Sequence, residues 1–311
     1  MINIVLTPPG IEYIKYLREI AYHYDTFIAE VPNVEGVRRY LNGEIDFNQL
    51  LYEIEYFDVD YSREFYEMLR GGLINNGINV VPIDPYGSIS MRIRVRAILN
   101  DLDHGSLSNE ERYIAFIELR IAEAYRGYNS ALLRGGSFED AVRYVLRYAR
   151  LDAERIKFRS ELRAREIVRL LRSLNVHCDV LIHADHYNEV LMDYLSSKLM
   201  CKPGVTRLSD AVSKRLGVRP WVHPGVKLTN NYVYGVPMVK NEEYLLASRA
   251  LIYALLKVRV FRRVDRGGVL GDRAILIDNS LMRLAYGLNI DDARNIFKKL
   301  MMPRNMFKIK V

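Results

Sequence analysis

The chain has 311 residues, half of them hydrophobic and 27% charged, the balance of a globular protein with room for one large domain or two modest ones. No apolar run approaches the ~20 residues that span a bilayer. The start, Met1-Ile2-Asn3-Ile4-Val5-Leu6, lacks the basic flank and small-residue cleavage site of a signal peptide, so neither a membrane-spanning nor an exported protein is expected.

The formal charge of +7 is unevenly spread. Residues 196–311 hold 22 Lys and Arg against 8 Asp and Glu, and residues 1–195 hold 23 against 30. That asymmetry suits a polyanion-binding C-terminal part, oppositely charged parts that pack together or in a homo-oligomer, or simply a solvated basic surface. Cys178 and Cys201 lack the CxxC spacing of a metal or redox site, and two reduced thiols point to the cytoplasm. Gln49 is the only glutamine, and a charged, glutamine-poor composition is a thermophile tendency.

Residues 2–6 form a short apolar run ended by Thr7-Pro8-Pro9-Gly10, a strand and a turn. Ile14, Leu17, Ile20 and Ala21 recur at helical spacing over 11–24. Residues 26–31 read as a second strand stopped by Pro32, and 47–76 as an acidic helical stretch ended by Gly77. A third strand covers 78–85, with Asp84 at its C-terminal end. Long charged helices fill 88–172, with starts at Ser108 and Ser137, each followed by acids in the first turn. An amphipathic helix over 153–174 leads to a fourth strand, 179–182, followed at once by His183, and then to a helix over 189–199. Strands alternating with helices predict an α/β fold with a mostly parallel sheet flanked by many helices.

Beyond residue 200 glycine and proline break the chain often. A helix is expected over 241–260, a strand over 274–277 and a helix over 289–300 capped by Asn289 or Asp291. The expected organisation is an α/β core, 1–200, with a helical insertion at about 88–150, and a basic, mixed C-terminal subdomain, 201–311.

In parallel sheets the working groups gather at the C-terminal ends of strands. Here those ends carry Thr7, Glu30, Asp84 and His183. His183 and His186 are spaced to converge on one divalent ion such as zinc, manganese or cobalt, with Asp185 between them as a supporting partner. The alternative is a helix cap and an exposed ring. Glu30 is either a buried, functional carboxylate or an exposed one at a junction. Asp84 is a site residue or the cap of the turn begun by Pro85. Arg159 and Arg163 either neutralise negative charge at the strand ends or line a solvent face. In the C-terminal part Arg259, Arg262, Arg263 and Arg266, with Trp221, Tyr232 and Tyr234, suit phosphate and base contacts. The alternative there is a basic surface or a self-association face.

The order of these motifs resembles the superfamily of erythromycin esterases, ChaN-like haem-binding proteins and TraB/Tiki proteins. The resemblance spans residues 1–200. It rests on Ile28-Ala29-Glu30, Val81-Pro82-Ile83-Asp84, the Arg159–Ala164 helix segment and His183-Ala184-Asp185-His186. It implies a metal-dependent hydrolase or ligand binder acting on a small molecule or peptide. His183, His186 and Glu30 would be metal ligands, with Glu30 as ligand or base and Arg159 steadying negative charge. Where that superfamily carries a glycine- and histidine-bearing turn after the first strand, this chain has Leu6-Thr7-Pro8-Pro9-Gly10, which implies an incomplete site. The other reading is a non-enzymatic relative that binds nucleic acid or a partner protein through its basic C-terminal part.

Overall fold

The computed structural model describes residues 1–54, 58–99, 104–133, 135–173, 179–185, 189–199, 202–264 and 271–301, the side chains of 262–264 excepted. The chain runs β1 (Ile2–Thr7), α1 (Ile11–Ala21), β2 (Thr26–Ala29), α2 (Glu35–Leu41), α3 (Phe47–Leu51), α4 (Val59–Glu67), β3 (Asn79–Pro82), α5 (Pro85–Ile98), α6 (Asn109–Leu133), α7 (Phe138–Ser173), β4 (Val180–Asp185), α8 (Glu189–Lys198), β5 (Gly204–Arg207), α9 (Leu208–Arg215), α10 (Pro224–Val233), α11 (Lys240–Val264), α12 (Asp272–Tyr286) and α13 (Ile290–Met301). No helix among the described residues is long and apolar enough to cross a membrane.

The five strands form one parallel sheet in the order β3-β2-β4-β1-β5, so the α/β reading holds. Two compact units result. One contains residues 1–116 and 155–220, the whole sheet included; the other contains 117–154 and 221–311, and its elements among the described residues are helices. The sheet unit thus takes in β5 and α9, beyond residue 200.

Alternation along the strands sorts the sheet's two faces. Ile4, Leu6, Ile28, Ile182 and Ala184 pack with Ala164, Ile167 and Val168 of α7 and Leu191 and Leu195 of α8. Burying each of these larger aliphatic chains contributes roughly 1.5–3 kcal/mol. Val5, Thr7, Phe27 and His183 therefore point to the opposite face, where α1, α4 and α9 lie. In the helical unit Phe138, Val142, Leu246, Leu251 and Phe297 anchor a core shared by α7, α11 and α13.

Three expectations change. Residues 274–277 are helical, within α12: Ala274, Ile275, Leu281, Met282 and Ala285 are buried at helical spacing, and that amphipathic period outweighs the short β-branched run. The fourth strand continues through His183 to Asp185. A fifth strand, β5, begins at Gly204, just after the Pro203 that reads as a break. The starts at Ser108 and Ser137 hold: each hydroxyl accepts a main-chain N–H three residues on, from Glu111 and Asp140. Asn289 caps α13, accepting from the Asp292 N–H at 2.8 Å.

Candidate functional site

Because all strands are parallel, Thr7, Glu30, Asp84 and His183 share the C-terminal edge of the sheet. Glu30 follows Ala29 on β2, and the alternation sends its side chain to the face covered by α7. Arg159 and Arg163, four residues apart on α7, reach it from one helix face.

These residues interlock. Arg159 Nε and Nη2 donate to Asp84 Oδ1 and Oδ2 at 3.2 and 2.7 Å, and Arg159 Nε lies 3.3 Å from Glu30 Oε1. Arg163 Nη1 donates to Glu30 Oε2 at 3.2 Å, its Nε to the Ile83 carbonyl at 2.8 Å and its Nη2 to the His183 carbonyl. Glu30 Oε2 also accepts the Asp185 N–H at 2.7 Å. Arg163 thus ties the ends of β2, β3 and β4 together. Its side chain is fully buried, those of Glu30 and Asp84 nearly so, and Arg159 keeps 30% exposure. Burial works against the Arg163 charge; Glu30 and Asp84 oppose that pull. At Arg159 burial also lowers the pKa, but Asp84 and Glu30 outweigh it and leave it raised. Asp84 does both things read from its position: it pairs with Arg159 and caps α5, accepting the Gly87 N–H at 3.1 Å.

His183 lies on the other face. Its ring stacks on Phe27 with centroids 5.9 Å apart and meets Phe65 of α4 at 4.9 Å. Burial, then the nearby Arg163, pushes its pKa down to about 3, so the imidazole is neutral at ordinary pH. The Glu30 N–H approaches Nδ1 at 3.5 Å, which assigns the ring proton to Nε2. That buried Nε2 has no partner among the described residues, and neither has the buried Thr7 Oγ1.

Sequence reasoning missed Tyr61 and Phe65. Tyr61 stacks on Phe65 at 5.8 Å, extending the row of rings over His183. Burial, then the carboxylates of Asp185, Glu30 and Glu12, raises the Tyr61 phenol and keeps it protonated. Their i, i+4 spacing on an acidic helix was the available signal.

A metal site built on Glu30 and His183 does not fit this geometry. Both Glu30 oxygens face guanidinium groups, and the two side chains leave the sheet from opposite faces. Among the described residues no three His, Cys, Asp or Glu are grouped to hold a metal ion. His186 lies outside the described residues, as do Cys178, Cys201 and the side chains of Arg262, Arg263 and Arg266. Arg259 lies half-buried on α11, in the helical unit.

No protein-family model matches the chain, and no solved structure matches it. It is similar to a protein of Archaeoglobus fulgidus described only as an uncharacterized protein, at 23% identity over 302 residues, which cover 97% of this chain and 100% of that one. The aligned residues run through both units of this chain.

Proposed function

We propose that the chain is a hydrolase-like α/β protein whose working site is the C-terminal edge of the sheet. One observation carries the reading: two guanidinium groups and two carboxylates, all but Arg159 buried, are packed together at that edge, where open α/β sheets hold ligands. Buried charge is expensive, and clusters of it gather at functional sites.

Within this reading the four residues divide the work. Glu30, saturated by Arg163, Arg159 and the Asp185 N–H, positions the end of β4 and is neither base nor metal ligand. Arg163 is structural. Arg159, the one member with substantial exposure, steadies negative charge developing on a substrate. His183, on the opposite face of the same edge, neutral and protonated on Nε2, serves there as a hydrogen-bond donor, since so low a pKa makes it a poor base at neutral pH.

The test is turnover of a panel of nitrophenyl esters by the full chain. Release of nitrophenolate that falls at least ~10-fold in both Arg159→Met and His183→Phe supports the reading. Turnover equal in the parent and both variants overturns it.

A further inference from the structure

Two buried polar atoms at the sheet edge, Thr7 Oγ1 and His183 Nε2, have no partner among the described residues, and their residues sit on neighbouring strands. Thr7 pairs laterally with Asp185, and Val5 with His183, so Thr7 and His183 project from neighbouring strands on the same face, two residues apart along them. Strand spacing and rise put their α-carbons about 8 Å apart. Thr7 is 2% and His183 5% exposed. A buried hydroxyl and a buried N–H without partners each cost free energy on the order of 1–3 kcal/mol, so the fold keeps them at a loss unless something accepts from them.

The surroundings select what that is. Phe27 and Phe65 flank the imidazole, and Tyr61 continues the row. These rings make an apolar wall, and the groups facing it are neutral donors. The charges around the wall are mixed in sign, Arg163 and Arg159 against Asp185 at His183, and Asp185, Glu30 and Glu12 at Tyr61, so neither sign of ligand is singled out and the neutral donors decide.

We propose that Thr7 and His183 form a binding site for a small uncharged molecule bearing a carbonyl oxygen, seated at the ends of β1 and β4 on the face covered by α1 and α4. The site deepens the reading of this edge as the working end of the protein and rests on it. Its ligand accepts hydrogen bonds from His183 Nε2–H and the Thr7 hydroxyl, while the Phe65 and Tyr61 rings cover the ligand's apolar part.

The full chain labelled with ¹⁵N-histidine tests this, with N-methylacetamide as the neutral probe and acetate and inorganic phosphate as anionic ones. The expected result is a saturable shift of the His183 Nε2–H resonance with N-methylacetamide alone. Thr7→Val should weaken the response about 2- to 10-fold, the worth of one hydrogen bond, and Thr7→Ser should restore it. An equal response to acetate or phosphate overturns the proposal. So does no saturable response to N-methylacetamide, including the case in which Nε2–H shows only exchange with an internal water that the probe does not displace. Binding without ester turnover removes the hydrolase reading and leaves this site standing; turnover without the shift does the reverse.

Discussion

Both carboxylate oxygens of Asp84 are held by one guanidinium: Arg159 Nε and Nη2 meet them at 3.2 and 2.7 Å. A planar fork of this kind is not replaced by a point charge. Arg159→Lys should therefore keep the fold, with a stability loss of about 1 kcal/mol in urea unfolding, yet lower ester turnover about as far as Arg159→Met. Full activity in the lysine variant would reduce Arg159 to a simple counter-charge.

Arg163 should be far less tolerant. Its three donors serve Glu30 and two main-chain carbonyls from a fully buried position. Arg163→Met leaves Glu30 and those carbonyls short of partners, at a cost on the order of 3–5 kcal/mol. Chemical denaturation of purified protein measures it; a midpoint like the parent's would show that the network relaxes around water.

Glu30→Gln separates the positioning role from a metal-binding one. Gln still accepts the Asp185 N–H but leaves the guanidinium groups undercompensated, so stability falls by about 3 kcal/mol. Divalent-metal content, read by mass spectrometry, stays as in the parent. Metal lost with this one substitution would put Glu30 back among the ligands.

His183 gives a pH dependence with a defined sign. Its folded-state pKa, about 3, lies below the ordinary histidine value near 6.5. Above pH 6.5 neither state binds the extra proton and the contribution is fully present. From 6.5 down to 3 the unfolded chain binds a proton that the folded one refuses, and stability drops by up to about 1.4 kcal/mol per pH unit. His183→Phe should lose that part of the acid slope. Parallel stability–pH curves for the two proteins contradict the buried neutral ring.

In the helical unit, a Cβ at Gly127 would stand 2.1 Å from the Tyr144 ring. Gly→Ala inside a helix ordinarily stabilises by about 0.5–1 kcal/mol. Here Gly127→Ala should destabilise by about 1–3 kcal/mol through overpacking. The Tyr144→Ala background should reverse the sign, which thermal unfolding of the single and double variants checks.

Much of the frame was legible because local signals agreed with one another. Short apolar runs ending at Thr7, Glu30 and Asp84, separated by amphipathic helices, dictate parallel strands and so one edge for those residues. What stayed hidden depends on pairing. That Ile28 lies beside Ile182 decides that Glu30 and His183 leave the sheet on opposite faces, and no local pattern carries that register. The stretch holding α4 reads only as helical and acidic, although one side of α4 sends Phe65 onto His183. Residues 274–277 misled because four apolar residues satisfy either period until Leu281 and Ala285 are counted with them.

Pro82 ends β3, the outer strand on its side of the sheet. The N–H groups of Asn79 and Ile83 turn inward to the carbonyls of Asp25 and Ala29, so residues 80 and 82 present their main chain outward. At residue 82 proline has no N–H to present. An incoming strand finds one donor, at Val80, along the four residues of β3, too few to template its addition. That side of the sheet therefore offers an incoming strand little to pair with, and the chain's own proline sets the limit.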